Sequence, residues 1–356
     1  MRRFNPDMLA IARDATGSTQ ADIVSTLCGA MSQGKLSKIE NGLIEPSIDD
    51  VKTIAGALGF KTEFFFHPHV RLSAPATYNR KRKKLSGGDW SRIFATSEIY
   101  RITASLLLRS VELAPKRPPA PLVDVEKYNG NIEQIATAMR QHWRIPRGPL
   151  EDVTSIVESA GIIVVSYDFG TDLCDGFGQL ASEDMPAMIF INSRQPKDRF
   201  RFTLCHELGH IIMHSIPSPE MENEANRFAA EFLMPTLDIA KDFYNLSMEK
   251  LMSLKMHWRT SMHSLVYKAR SCGRITDSTY NYYMVSMSKK GWKTKEPLEL
   301  NNVKESPKLF SQLIKTHLGP LQYSLDDLAS LTGLGPAKFE EMHSLESKPR
   351  LRLVVG

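Results

Sequence analysis

The chain has few cysteines and no long apolar run, and both shortages limit what kind of protein it can be. Its four cysteines are scattered through 356 residues without paired spacing, which fits the reducing cytoplasm. No apolar run approaches the roughly 20 residues of a membrane-spanning helix, and the N-terminus lacks the apolar segment of a signal peptide. We therefore expect a cytoplasmic protein with no membrane partner. No internal repeat is evident.

The rest of the composition is that of a soluble globular protein with more than one core. Hydrophobic residues make up 42% of the chain and charged residues 24%. A chain of 356 residues is too long for one simple core, so two or three domains are expected. The net charge of +5 is unevenly distributed, because residues 1–85 hold 13 Lys and Arg against 8 Asp and Glu. A basic N-terminal module indicates a polyanionic partner.

The most informative motif is His-Glu-Leu-Gly-His at residues 206–210. On a helix, His206 and His210 lie four residues apart on one face and can bind one metal ion. Glu207 lies between them and can reach a water molecule at the metal without being a ligand. This pattern is typical of a hydrolase. The alternative is a helix with two surface histidines and an ordinary ion pair.

A third ligand is predicted on the next helical run, residues 222–234. A short turn between two helices makes them pack antiparallel, which brings Glu222 back towards the histidines and leaves one coordination position open. Glu224 is the competing candidate. Asn226 could hydrogen-bond around the site, and His214, one turn past His210, could be an oxyanion donor or a helix-end cap. Zinc is the expected metal, although this ligand set also accepts other divalent ions.

The N-terminal segment has the pattern of a helix-turn-helix. Helical runs are predicted at 8–13, 18–27, 32–41 and 48–58, with a turn at 28–31. Polar side chains at the start of the second helix of the pair can reach base edges, while lysines meet phosphates. The candidate DNA contacts are Thr19, Gln20, Ser32, Gln33, Lys35, Ser37 and Lys38. The alternative is a plain helical bundle used for protein contact.

The middle of the chain connects this segment to the metal motif. The basic run 78–84 could contact the DNA backbone or be a solvated linker. A long helix is predicted at 89–113, followed by a stiff proline-rich linker at 114–121. Further helices near 131–143 and 150–160 precede two predicted strands. These strands, at 162–167 and 187–191, form a sheet whose exposed edge could hold an extended peptide.

Two stretches resemble known families. Residues 19–47, with Thr-Gln-Ala near the start and Ser-Lys-Ile-Glu-Asn-Gly before Pro-Ser, resemble the XRE (Cro/repressor-like) helix-turn-helix domain. Residues 199–210, ending in His-Glu-Leu-Gly-His, and residues 222–235 resemble the ImmA/IrrE metallo-endopeptidases. Parts of the tail, 254–258 and 291–297, are similar to bacterial proteins that fuse the two modules. The resemblance implies a zinc gluzincin that cleaves or relieves a transcriptional repressor. Cys205 departs from the small residue expected before the first histidine.

The expected fold is α+β and mostly helical, with an all-α helix-turn-helix domain and a gluzincin-like metallopeptidase domain that contains a small sheet. The expected segments are 1–70 for DNA binding, 71–122 for the connection, 123–245 for the peptidase, and 246–356 for a helical region of uncertain role. Cys174 could approach the zinc as a redox switch, although a cysteine without such a role is the simpler interpretation.

Two functions follow from these patterns. One is a zinc endopeptidase attached to a DNA-binding module, which acts on a repressor or another regulator and binds a DNA operator, as a homodimer if that operator is palindromic. The other is a transcription factor whose metal domain is a sensor or scaffold with little proteolysis. Glu207 favours the first, because a scaffold has no need of a catalytic base.

Overall fold

The described part of the chain is mostly helical and contains one small sheet. The computed structural model describes residues 3–72, 85–292, 295–298 and 305–343. The basic run 78–84 lies outside the described residues. The helices are α1 Pro6–Thr16, α2 Gln20–Thr26, α3 Gln33–Glu40, α4 Ile48–Leu58, α5 Gly87–Leu107, α6 Ile132–His142, α7 Val153–Glu158, α8 Lys197–Met213, α9 Met221–Leu233, α10 Thr236–Ile239, α11 Met248–Trp258, α12 Met262–Ser271, α13 Asp277–Lys289, α14 Leu309–Leu318, α15 Leu325–Thr332 and α16 Pro336–His343. The strands are β1 Ile163–Tyr167, β2 Gly176–Gln179 and β3 Met188–Asn192. Among the described helices, none combines the length and apolar character needed to cross a membrane.

Residue contacts divide the chain into two compact units. The first unit comprises Met1–Ala74, Leu85–Glu112 and Ser311–Gly356, and the second comprises Pro75–Lys84 and Leu113–Phe310. This division differs from the four segments expected from the sequence. The reason is long-range packing, which the order of motifs along the chain does not reveal.

The first unit is built from helices that begin and end at strong capping residues. Thr19 and Ser47 each form a capping box with the Asp three residues later, so α2 and α4 start at fixed positions. The predicted helix at 48–58 has the same bounds in the structure. The C-terminal helices belong to this unit because Phe60 forms a β-bridge with Leu334.

The second unit surrounds a three-stranded sheet in the order β1-β3-β2. β1 pairs with β3 in parallel, and β2 pairs with β3 antiparallel and occupies an edge of the sheet. Every residue of β3 is buried, which is typical of a strand covered on both faces. The strands predicted at 162–167 and 187–191 are thus present as β1 and β3. β2 is absent from the sequence-based prediction because Gly-Phe-Gly-Gln is short and rich in glycine.

The proline-rich segment 114–121 is fixed to the second unit. The Trp143 indole donates a hydrogen bond of 3.0 Å to the Pro118 carbonyl, and the Arg117 N–H donates to Ser159 O at 2.8 Å. Just after the segment, the Val123 N–H donates to Ile212 O of α8 at 2.7 Å. The segment therefore packs along the second unit and does not act as a flexible linker.

Candidate metal centre

The predicted metal motif lies in the middle of α8, with its partner carboxylate on α9. His206 faces Asn226, and His210 faces Glu222, so the two helices run antiparallel. α8 is buried along most of its length between α9 and the sheet. The helix pair that the sequence predicts is present in the structure, and it brings Glu222 to the two histidines.

Gly209 allows the two helices to approach this closely. A Cβ atom placed at Gly209 would lie 3.1 Å from Cδ1 and 3.3 Å from Cβ of Phe228 on α9. These separations are tighter than ordinary carbon contacts, so a larger residue here would push α9 away. The glycine inside the motif therefore suits the close packing of α8 against α9.

Three donor groups converge at one point. The Nε2 atoms of His206 and His210 are 3.1 Å apart, and the Glu222 carboxylate oxygens lie 3.6 Å from the first and 3.5 Å from the second. Ligand nitrogens on a tetrahedral zinc with ordinary Zn–N bonds lie about 3.3 Å apart. The spacing of His206, His210 and Glu222 therefore suits one divalent cation held by two nitrogens and a carboxylate.

The hydrogen bonds behind the histidines fit the same cation. Nδ1 of His206 lies 3.0 Å from the Asn226 Oδ1 acceptor, so Nδ1 carries the proton and Nε2 presents a lone pair. Nδ1 of His210 lies 2.8 Å from Nδ1 of His214, whose Nε2 is 2.9 Å from the Glu224 carboxylate.

When the Nε2–H of His214 donates a hydrogen bond to Glu224, its Nδ1 accepts a hydrogen bond from the Nδ1–H of His210, and Nε2 of His210 then presents a lone pair too. Burial lowers the pKa of His214, although the hydrogen bond to Glu224 acts in the opposite direction. The lowered pKa favours the neutral His214 ring, which this pair of hydrogen bonds requires. Two lone pairs facing each other at 3.1 Å repel unless a cation lies between them. The donor set therefore fits a metal ion.

The structure also separates the two candidates for the third ligand. Glu222 faces both His206 and His210, whereas Glu224 is the hydrogen-bond partner of His214. His214 is the C-cap residue of α8 and continues the four-residue spacing of His206 and His210. That spacing was the available sequence signal for its position, but its pairing with Glu224 depends on the turn between the helices.

Glu207, Cys174 and Cys205 are all buried. Glu207, between the ligand histidines, is 1% exposed. Cys205 is fully enclosed, and burial raises the pKa of its thiol, so it acts as a core residue in place of the small residue expected there. Cys174 is also buried, with its sulfur 3.9 Å from Gly176 O, and it is not part of the converging donor group.

Buried ion pairs fix the first half of α8. Arg201 and Glu305 form an ion pair in which both side chains are 1% exposed, and the Thr154 N–H also donates to Glu305 at 2.7 Å. Lys255 donates to Asp198 of α8 at 2.5 Å and to Glu296 at 2.9 Å. The two distant carboxylates were missed because an isolated glutamate in a polar stretch carries no sequence signal for burial.

Most of the predicted DNA contacts already have a structural role. Thr19 and Ser32 cap α2 and α3, Gln20 donates to Glu40 at 3.2 Å, Lys35 pairs with Asp50 at 2.6 Å, and Ser37 accepts from Asn41. Gln33 and Lys38 are exposed, and their side chains make no hydrogen bond or ion pair with the residues described by the structure.

A comparison with known families agrees with the site. Residues 157–270 match the family model Peptidase_M78, described as the IrrE N-terminal-like domain. The match covers about a third of the chain and contains both α8 and α9. No curated protein matches the chain. The match supports a metallopeptidase-type function for this segment and does not extend to the N-terminal helices.

Proposed function

We propose that the chain is a metal-dependent endopeptidase joined to a DNA-binding module, and that it cleaves a transcriptional repressor or another regulator. The observation that carries the enzymatic part is the convergence of His206 and His210 of α8 with Glu222 of α9, beside the buried Glu207 of α8. The Peptidase_M78 match over the same helices supports it.

His206, His210 and Glu222 would hold the metal, for which zinc is our proposal because two imidazoles and one carboxylate are a common catalytic zinc set. A bound divalent metal would provide Lewis-acid activation of water and of the peptide carbonyl. Asn226 and His214 keep the ligand rings in the orientation and protonation state that binding needs.

Glu207 is the proposed general base and then the general acid. Its carboxylate takes a proton from the attacking water and passes it to the amine nitrogen of the departing peptide. Burial keeps bulk water away from this carboxylate, so the proton stays within the site. β2, the edge strand beside α8, is the proposed docking strand for an extended peptide.

The DNA-binding part rests on the α2–turn–α3 pattern and on the resemblance of that stretch to repressor domains. Gln33 and Lys38 are the side chains most available for a base and a phosphate. Residues 3–72 hold 7 Lys and Arg against 8 Asp and Glu, so electrostatic attraction to DNA would depend on the basic run that follows them. We propose binding to an operator, as a homodimer if the operator is palindromic.

The decisive experiment compares Glu207→Gln with His206→Ala. The zinc-loaded protein is incubated with a mixed peptide library and with candidate regulators, with and without a chelator, and products are read by mass spectrometry. Glu207→Gln should bind one metal ion per chain and lose about 10²–10⁴-fold in cleavage. His206→Ala should lose both metal and cleavage. If Glu207→Gln cleaves as fast as the original protein, the peptidase assignment is wrong and a sensor or scaffold role takes its place.

A further inference from the structure

An apolar cavity of about 430 Å³ opens in the second unit where β2 ends. Leu180 and Ala181, which directly follow β2, form one side of the cavity, and Ile211 of α8 forms another. The remaining walls come from residues 160–162 and 186–187, which directly precede β1 and β3, and from the proline-rich segment with its flanking residues. All the lining residues are apolar, and they include Leu113, Pro119, Leu122, Ile162 and Pro186.

We propose that this cavity binds an apolar side chain of the cleaved peptide, on the amino-terminal side of the scissile bond. The inference rests on the proposed peptidase function and adds the class of substrate residue to it. An aliphatic or aromatic side chain fits the volume and the lining.

The position of β2 connects the cavity to the metal centre. A Cβ atom placed at Gly178 would lie 3.6 Å from the Glu207 carbonyl oxygen and 3.5 Å from Cγ1 of Ile211. β2 therefore runs beside the turn of α8 that carries Glu207 and His210. Since Leu180 comes two residues after Gly178, the cavity begins immediately past this level.

The direction of β2 determines which side of the substrate meets the cavity. A peptide that pairs antiparallel with β2 has its amino-terminal part next to the end of β2 at Gln179 and Leu180. Its carboxyl-terminal part then lies towards Gly176. The residue that reaches the cavity is therefore amino-terminal to the bond at the level of Glu207.

The chemistry of the walls determines which side chain is accepted. Leu122 and Leu180 are 62% and 43% exposed, so apolar surface remains for a ligand to cover. A charged side chain would lose its hydration here without gaining a partner, because the lining offers no charged or polar side chain. We therefore expect Leu, Ile, Met or Phe at this position of the substrate.

One wall of the cavity is formed by the proline-rich segment and the residues that flank it. Residues 113–122 lie before the segment that matches the peptidase family, yet they contribute five of the lining residues. Their hydrogen bonds to the rest of the unit hold this wall in place.

The test uses the full-length, zinc-loaded protein and a peptide library of mixed sequence. The original protein should cut with an apolar preference at one position amino-terminal to the scissile bond. Leu180→Asp should lower kcat/KM for those peptides at least tenfold and shift the preference towards Lys or Arg. Leu173→Asp is the matched control, since Leu173 is 49% exposed and lies outside the cavity lining, and it should leave the preference unchanged.

Ala181→Phe is a second variant that fills the cavity without adding charge, and it should favour smaller side chains at the same position. Cleavage without an apolar preference, a preference only on the carboxyl-terminal side, or an unchanged preference in both Leu180→Asp and Ala181→Phe overturns the cavity proposal and leaves the peptidase function standing. Absence of any chelator-sensitive cleavage by the original protein overturns both.

Discussion

α8 and α3 carry the two motifs that point to function, and their surroundings differ. α8 is 17 residues long and largely buried, and its charged residues Asp198 and Arg201 meet opposite charges inside the unit. α3 is 8 residues long, and most of its polar side chains face solvent. The residues of the α8 motif contact one another, so their arrangement can be tested within a single chain. The exposed side chains of α3 would show a DNA-binding role only when DNA is bound.

The largest expected difference between the two helices is in the cost of losing an ion pair. Arg201→Met leaves the Glu305 carboxylate buried without its cation and should lower the free energy of unfolding of the second unit by about 3–5 kcal/mol. Lys35→Met removes a pair on α3 in which the lysine is 43% exposed, so about 0–1 kcal/mol is expected. Urea unfolding of both variants, followed by fluorescence and circular dichroism, measures the difference. Equal losses would mean that Glu305 is not buried as described.

The carboxylate of Glu296 should make the second unit sensitive to acid. Burial acts to raise the pKa of Glu296, but hydrogen bonds from His263, Lys255 and the Met262 N–H outweigh it and lower this pKa to about 2 from 4.5. A lowered pKa means that the ionised form stabilises the fold above pH 4.5 and that this contribution is lost as the pH falls towards 2. The full contribution is about 3 kcal/mol.

Unfolding of the metal-free protein between pH 2 and 6 measures this contribution. Glu296→Gln should be less stable near neutral pH and should lose less stability on acidification. On α3, the Lys35 hydrogen bond also lowers the pKa of Asp50, but Asp50→Asn should change the acid response less because Lys35 is partly exposed. A parallel acid response in Glu296→Gln and the original protein would rule out the contribution of Glu296.

The sequence predicted those parts of the site that depend on local periodicity. The spacing of His206 and His210 predicted a helix face, and the turn between α8 and α9 predicted the return of Glu222. The same reasoning gave the bounds of α4, because its apolar positions all lie between Ile48 and Leu58. Local signals were less exact at other helix ends, since the helix predicted at 89–113 ends at Leu107.

Features that depend on residues far apart in sequence were not predicted. β2 is a strand because it pairs with β3, since its own residues have little strand preference. Glu305 and Glu296 anchor α8 from about 100 residues away. The packing of α15 and α16 in the unit of the N-terminal helices depends on contacts such as that between Lys61 N and Gly333 O. No hydrophobic periodicity and no helix-capping residue in the sequence indicates any of these contacts.

The hydrogen bonds behind the proposed metal ligands should have a smaller, measurable effect on zinc affinity. His214→Ala removes the acceptor of His210 Nδ1, and Glu224→Gln weakens the anchor of His214, so each should reduce zinc affinity by about 10–100-fold. Asn226→Ala should act similarly through His206. Zinc competition with a chromophoric chelator gives these affinities without reference to activity. Glu220→Gln, at the exposed residue just before α9 and outside these hydrogen bonds, is the control and should bind zinc as the original protein does.

The smallest expected effect belongs to α3, and it tests whether this helix contacts DNA at all. Lys38→Ala should reduce the slope of log affinity against log salt by about 1, because one phosphate contact is lost. Gln33→Ala should leave that slope unchanged and weaken discrimination between operator sequences, because a base contact carries sequence information. Lys52→Ala, on α4 and paired with Asp49, is the control and should change neither quantity. Operators selected from random DNA by the full-length protein provide the probe. Identical salt slopes for all three variants, together with unchanged sequence discrimination in Gln33→Ala, would remove α3 from the proposed DNA interface.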